Sequence, residues 1–428
     1  MILSRDRWST RTALLTAGAI VLAVVLAVVL SIRQGMHQHV GHDFHVFWQA
    51  GRNFATGHPL YHDYLPGARP LKYPPFAAFV FQLLAIFPLQ VAAVLFSLLN
   101  LGLWVLSGFL TRDIVARTFP HRNPAPWPLV LAVALSAQFF LDNFHHVQMN
   151  EVILVLVLLG IRASLQGMDL RAAGYLVTAT AIKITPVFFV TWLVVRGSRR
   201  AALAVPLLVA ACVLVPLLLR GPATGAAELV EYYHSFLEGH QHGRIDTYTA
   251  DQNLAALVSR MSRPVQNAEH LTYMYLPLPP DTALLIYRVL WVMVLLLFLT
   301  KLAALRIRGS PVSALELSMV FLASLLLSPI TFTAHLVPLL FVFFAFLSFP
   351  PGTISGGGYL VAAVLLTGMV VTGLSGRDLV GDTAFLSIRG YSLMAWTMLL
   401  LFLATLVLVG RERRLYHCCK PPAISGAK

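Results

Sequence analysis

Long apolar runs alternate with short polar stretches along this chain, and the alternation continues almost to the C-terminus. The runs fall at 13–31, 91–111, 127–141, 150–166, 172–183, 186–195, 201–219, 282–305, 312–328, 335–349, 358–375 and 390–410. Wound as helices, the longer ones match the ~30 Å hydrocarbon core of a bilayer. They are continuous and rich in Leu and Val, unlike the short alternating segments of a membrane β-barrel. The pattern predicts an all-α polytopic membrane protein of about 12 transmembrane helices, with the whole chain as one integral membrane domain. The runs at 172–183 and 186–195 are short for separate crossings, so "AIKITPVF" reads either as a boundary between two spans or as a proline kink within one.

Two long loops interrupt the runs, 32–90 and 220–280. In the first, Phe44, Phe47, Trp48, Gly51 and Phe54 recur at helical spacing, which describes a short amphipathic helix lying at the interface. The following "GHPLYHDYLPGARPLKYPPF" is rich in Pro, Gly and Tyr. It predicts an irregular segment that re-enters the membrane near "YPPF", where non-helical backbone is tolerated if it lines a cavity. The N-terminal "MILSRDRWSTR" ahead of an apolar run resembles a secretory signal, but no small-residue cleavage site follows "LSIRQGMHQ", so a retained first span is expected.

Charge orients this arrangement. With the N-terminus cytoplasmic, Arg5, Arg7 and Arg11, then Arg112, Arg117 and Arg122, then Arg162 and Arg171, then Arg196, Arg199 and Arg200, then Lys301, Arg306 and Arg308, and the basic 411–428 tail all fall inside. If 172–196 instead crosses once and 75–88 is a span, the loops at 112–126 and 162–171 move outside with their arginines, a poorer fit. A composition that is 58% hydrophobic, with a mean hydropathy of +0.76, excludes a soluble globular domain. The net charge of +13 then reports positive-inside loops and contact with membrane lipids, and nucleic acid is not expected as a partner. The expected location is a plasma (inner) membrane, with the polar chemistry gathered on the extracytoplasmic side. Of the three cysteines, Cys212 lies in an apolar run and Cys418 and Cys419 in the tail, giving neither a disulfide framework nor metal spacing. The tail pair reads as ordinary cysteines, with lipidation as the alternative.

The candidate chemistry clusters on that outer side. Asp43 opens "HDFHVFWQAG" and reads either as the N-cap of the interfacial helix or as a catalytic carboxylate with a free oxygen. His37, His39, His42 and His45 raise the question of a metal site, but no complementary ligand cluster is evident, and solvated interfacial histidines are the simpler reading. In "LDNFHHVQMNE", Asp142, His145, Gln148 and Asn150 offer more donors and acceptors than an interface needs, as a bound sugar would require. Lys183, at an outer helix end, either snorkels or contacts a phosphate. Lys72, Arg69, Arg244 and Arg288 are further cationic candidates, Arg288 lying two turns into an apolar helix. His335 ends "SPITFTAH" as a helix-end histidine or a base, and Gln252 and Asn253 of "TADQN", in the second long loop, join the candidate sugar or acceptor ligands.

The ordered set "HDFHVFWQAGRNFATGHPLY", "KYPPF", "QMNEVILVL", "AIKITPVFFV", "DQNLAALVSR" and "SPITFTAH" resembles the polyprenyl-phosphate-mannose-dependent α-(1→2) mannosyltransferases of glycosyltransferase family 87, membrane enzymes of the GT-C class. The resemblance covers almost the whole chain. It implies a GT-C-type fold and sugar transfer at the outer face, with inversion, from a polyprenyl-phosphate sugar donor to a lipid-linked or glycan acceptor. The family's acidic residue in the first outer loop corresponds to Asp43, and its late outer-face histidine to His335. The family commonly has Gly where this chain has Val147, and "NQS" where this chain has "DQN". An inverting transfer with a phosphate leaving group needs one base and no acid, so Asp43 with His335 beside it, or the reverse, suffices. Lys183, Lys72 or Arg288 would steady the departing phosphate, and Trp48, Tyr61 and Tyr73 would stack on sugar or prenyl chain. No cofactor or metal is required by this chemistry. The alternatives are a polyprenyl-phosphate-arabinose-dependent enzyme and a polytopic transporter. The transporter is the weaker, because no internal repeat is seen and the spans are nearly free of mid-membrane charge.

Overall fold

The computed structural model describes residues 21–40, 42–61, 69–119, 125–238, 250–262, 265–266, 272–273, 276–349 and 358–409. Arg5, Arg7, Arg11, the start of the first apolar run, Arg122, Arg244 and the 411–428 tail with Cys418 and Cys419 lie outside the described residues.

Every apolar run carries a helix. In chain order these are α1 (Val21–Met36), α4 (Leu89–Thr118), α5 (Pro126–His145), α6 (Asn150–Leu165), α7 (Asp169–Ile182), α8 (Val187–Arg196), α9 (Arg199–Leu219), α12 (Pro280–Ile307), α13 (Ala314–Leu326), α14 (Leu339–Leu347), α15 (Gly358–Gly373) and α17 (Leu393–Leu408). Between them lie α2 (Asp43–Thr56), α3 (Pro75–Ala85), α10 (Pro222–Tyr232), α11 (Leu254–Ser262) and α16 (Arg377–Gly390). Apart from a two-residue antiparallel pairing of Val265–Gln266 with Thr272–Tyr273, the described chain is helical or irregular. Among the described residues four helices, α4, α5, α9 and α12, are long and apolar enough to cross a bilayer alone, and five spans result if α15 and α16, bent by 109°, count as one. This is a polytopic membrane protein.

Prolines set several helix starts. Pro75, Pro126, Pro222 and Pro280 occupy first-turn positions, where a missing N–H costs nothing. Ser198 and Ser313 cap α9 and α13 by accepting from Ala201 and Glu316 backbone N–H groups.

The helices run between two ends of unlike character. At one end, Asp113 near the end of α4 accepts from Arg162 near the end of α6 at 2.8 Å, and Arg196 ends α8 beside Ser310 after α12. At the other end, Lys183 meets Asn150 at the start of α6, and Trp48 donates to the Phe87 carbonyl. These contacts resolve the "AIKITPVF" question. Lys183 touches the beginning of α6 while Trp192 and Arg196 touch Glu316 at the beginning of α13, so the chain reverses at 183–186 and α7 and α8 are separate arms.

Two cores follow. The larger fills the bundle with Phe139, Leu158, Trp192, Phe298, Phe321, Phe341 and Phe402. The smaller packs α2 and α3 over the pocket-bearing end through Phe44, Phe47, Phe81, Phe96, Val147, Ile182 and Tyr232. There α2 and α3 approach so closely that a Cβ on Gly51 would collide with the Phe81 carbonyl.

Candidate active site

A cavity of about 830 Å³, counted with its open mouth, lies between the smaller core and the bundle. Its wall draws Asp43, Val46 and Phe47 from α2, Arg69, Lys72 and Tyr73 from the loop before α3, and Gln148 from the turn before α6. Lys183 and Thr185 come from the α7–α8 reversal, Phe236 from the segment after α10, and Ser328 to His335 from the link between α13 and α14. Segments far apart in sequence thus converge on one space, with three cations and one carboxylate among the described residues of its wall.

Asp43 is not the N-cap of α2. The cap position belongs to His42, no side chain caps the helix, and Asp43 is its first helical residue. Long-range partners hold its carboxylate instead: Oδ2 accepts from the Gln148 amide at 2.5 Å, and Oδ1 accepts from Arg69. Neither oxygen is without a partner, unlike the free oxygen expected of a catalytic carboxylate, but the side chain keeps 20% of its surface exposed at the cavity and each oxygen has a second lone pair. Its negative charge still complements the helix N-terminus.

Lys183 Nζ donates to Asn150 Oδ1 at 2.7 Å, and Asn150 Nδ2 donates to Asn143 Oδ1 at 2.9 Å. The partner is neutral, and among the described residues no carboxylate lies within ion-pair distance of Lys183. Burial pulls its amine down to about 7 from the usual lysine value, with the Asp43 charge opposing that pull. His335 lies in a short 3-10 turn (Thr333–Leu336), where burial and then the nearby Lys183 charge push its imidazole well below the ordinary histidine value. Its Nδ1 is 3.2 Å from both the Phe332 N–H and the Ile330 carbonyl. Bonding the carbonyl leaves Nε2 as an acceptor, and bonding the N–H leaves Nε2 protonated.

The "DQN" residues act on the backbone that carries His335. Asp251 Oδ1 accepts from Thr331 N at 2.8 Å, the Gln252 N–H donates to the Thr331 carbonyl at 2.8 Å, and Asn253 Nδ2 donates to the Ser328 and Pro329 carbonyls at 2.9 and 2.8 Å. Asn253 Oδ1 also accepts from Ala256 N, starting α11. Gln252 and Asn253 are buried and absent from the cavity wall.

The other expected residues fall around the site rather than in it. Trp48 binds the Phe87 carbonyl at 2.9 Å, with Arg52 over its ring. Tyr61 is buried and donates to the Tyr73 carbonyl at 2.7 Å. Asp142 faces His146 at 3.7 Å, and exposed His145 offers its carbonyl to Gln34. Arg288 lies in a separate groove along α12 with Val289, Val292 and Leu296. Among the described residues no three His, Cys, Asp or Glu side chains come together as a metal site, so the His37 to His45 tract forms none. Asn143, Asn100, Asp251, Phe236 and Phe332 were not singled out from sequence. Asn100 carried no signal because a lone amide within an apolar run looks like packing polarity, and Asn143 stands inside "LDNFHHVQMNE" beside the more conspicuous Asp142.

One carboxylate facing several cations across an open cavity can accept a proton on one side and bind an anionic leaving group on the other. Residues 71–329, more than half of the chain, match the family model described as Glycosyltransferase family 87. The matched span contains Lys72, Gln148 and Lys183 and excludes Asp43 and His335. No curated protein and no solved structure matches the chain.

Proposed function

The chain belongs to glycosyltransferase family 87, and from that premise we propose that it transfers a mannosyl unit from polyprenyl-phosphate-mannose to a lipid-linked or glycan acceptor, with inversion. The observation that carries this reading is the charge pattern of the cavity: Asp43 stands against Arg69, Lys72 and Lys183, with no second carboxylate among the described residues of the wall. A glycoside hydrolase would need two opposed carboxyl groups, whereas transfer from a phosphate needs only one base.

In the proposed step the acceptor hydroxyl oxygen attacks the anomeric carbon while Asp43 takes its proton. The bond from that carbon to the phosphate oxygen breaks, and its electron pair stays on the phosphate. Lys183 and Lys72 neutralise the charge that develops there. His335, kept neutral by burial, offers a hydrogen bond to the sugar. A second, smaller cavity shares Lys183 and His335 with the first and is lined also by Phe189, Phe321 and Leu325. An extracytoplasmic site is favoured by the basic residues at the opposite end of the bundle. In this reading Gln148 and Asn150 act at the sugar side through Asp43 and Lys183.

The test is transfer of labelled mannose from polyprenyl-phosphate-mannose to a lipid fraction in proteoliposomes holding the purified protein. Wild-type protein should transfer, and Asp43→Asn should lose roughly 10²–10⁴-fold in kcat while staying folded. Transfer from polyprenyl-phosphate-arabinose alone would overturn the mannose assignment. Transfer from neither donor, or full activity in both Asp43→Asn and His335→Ala, would overturn the mechanism.

A further inference from the structure

Asn143 sits near the end of α5 with none of its surface exposed, yet both ends of its side chain are engaged. Its Nδ2 donates to the Gln148 carbonyl at 3.3 Å, and its Oδ1 accepts from Asn150 at 2.9 Å. Its own carbonyl accepts from the Gln148 N–H at 2.9 Å. From a second side, Asn100 on α4 donates to the same Gln148 carbonyl at 3.0 Å. Gln148 then reaches Asp43, and Asn150 reaches Lys183. The base and the phosphate-facing cation are therefore joined through one buried residue.

The direction of this chain is fixed by chemistry. An ammonium can only donate, so Asn150 must turn Oδ1 to Lys183 and Nδ2 to Asn143. Asn143 must then present Oδ1 to Asn150 and Nδ2 to the Gln148 carbonyl. Each amide is held in one of its two flips by the charge at the end of the chain, and no aliphatic side chain could pass that orientation on.

We infer that Asn143 is a positioning residue for the transfer reaction: it orients Asn150 as an acceptor for Lys183 and fixes the turn from which Gln148 holds Asp43. The inference rests on the glycosyltransfer reading only for the identity of the reaction. The coupling to Lys183 can be measured without turnover. Replacing Asn143 by Leu frees Asn150 to turn its donor end toward Lys183, which weakens the ammonium form. Replacing it by Asp keeps the acceptor and adds a negative charge, which strengthens that form.

The experiment is pH-dependent acylation of the Lys183 amine by a small amine-reactive reagent in the full-length protein, read peptide by peptide by mass spectrometry. Asn143→Leu should lower the titration midpoint of Lys183, and Asn143→Asp should raise it, each by about one pH unit. If Asn143→Leu does not fold, the near-isosteric Asn143→Asp decides alone. In the transfer assay, Asn143→Leu should reduce kcat with little change in KM, and should cost less in a Lys183→Met background than in the parent, because only the Gln148–Asp43 arm is then left to lose. A midpoint unchanged in the folded variants, or losses that multiply in the double variant, would overturn the inference. Midpoints that move as expected in a protein that transfers no sugar would leave Asn143's coupling intact and overturn the proposed function instead.

Discussion

The two ends of α8 hold two cations in opposite ways. Arg196, at its C-terminal end, has a side chain only 4% exposed and bonds Glu316 at 2.7 and 3.1 Å and the Ser310 carbonyl at 2.6 Å. Glu316 also accepts from Trp192 at 2.9 Å. Lys183, just before the N-terminal end, has one neutral amide and faces a cavity. A buried charge with its counter-charge in bidentate contact is complete, and nothing else can use it. A buried charge left with a single dipole still lacks a counter-ion. The basic end of the bundle is built to be closed, and the pocket end is built to be completed by something that binds.

Exchanging the two losses breaks the comparison most forcefully. Lys183→Met should cut transfer by roughly 10²–10³-fold, as the removal of one preorganised charge does, with the thermal midpoint hardly changed. Arg196→Met should do the reverse. It strands Glu316 without its partner, which costs about 3–5 kcal/mol, while the protein that stays folded keeps most of its turnover. Thermal unfolding and transfer measured on both variants decide the matter. Equal loss of activity in the two would mean that the ends are not specialised.

A second distinction is titration. The Lys183 amine at the pocket end, drawn down to about 7, is protonated below that value and neutral above it. If the charged form binds phosphate, kcat/KM for the donor should be level just below the free-enzyme value and fall about tenfold per unit once pH rises well past it. Bound phosphate favours the ammonium, so the limb in kcat should lie at higher pH than the limb in kcat/KM. Lys183→Arg should remove the limb from both profiles. A profile flat to about pH 9 in the unaltered protein would show that the charge on Lys183 is not used.

How far this contrast was legible in the sequence differs between the fold and the site. Helices stand at each apolar run because a continuous Leu and Val stretch has one stable form in lipid. Asp43, Lys72, Gln148, Lys183 and His335 could be picked out because charged and amide groups beside apolar runs are few. Local rules failed where distant partners outbid them: Asp43 reads as a cap by position, but Gln148, 105 residues away, and Arg69 take its oxygens. Gln252 and Asn253 read as sugar ligands by residue type, yet they clamp the Ser328–Thr331 backbone, and no single-sequence pattern distinguishes a clamp from a ligand. Trp48 and Tyr61 were chosen as aromatic, and they serve the packing of the loop instead.

The clamp gives a third, smaller effect. Asn253→Ala removes the bonds to two carbonyls behind His335 as well as the cap on Ala256 N. It should lower kcat about tenfold by loosening the segment that carries the imidazole, and lower stability by about 1 kcal/mol through the lost cap. The deliberate contrast is Ser198→Ala at the basic end, where the cap on Ala201 N is lost without any pocket residue behind it. Stability should fall there by a similar amount with turnover unchanged.

The smallest expected effect concerns the two turns that flank α6. At the basic end Gly167 takes φ of 71°, with nothing within 4 Å of where a Cβ would lie. At the pocket end Val147 takes φ of 49°, a region that a β-branched residue enters only under strain. It is also fully buried in the smaller core, beside Gln148. Val147→Gly would relieve about 1–2 kcal/mol of backbone strain but would give up about 1.5–3 kcal/mol of side-chain burial. The freer unfolded chain costs roughly another 0.5–1 kcal/mol. The balance is a loss of about 1 kcal/mol, so the valine is kept by packing despite its backbone. Gly167→Val has the strain without the burial and should destabilise by a similar 1–2 kcal/mol, at no cost to turnover. Denaturation midpoints for the two variants, with transfer rates alongside, test the balance. If Val147→Gly proves more stable than the parent, strain exceeds packing, and the pocket end holds strained backbone as well as an uncompensated charge.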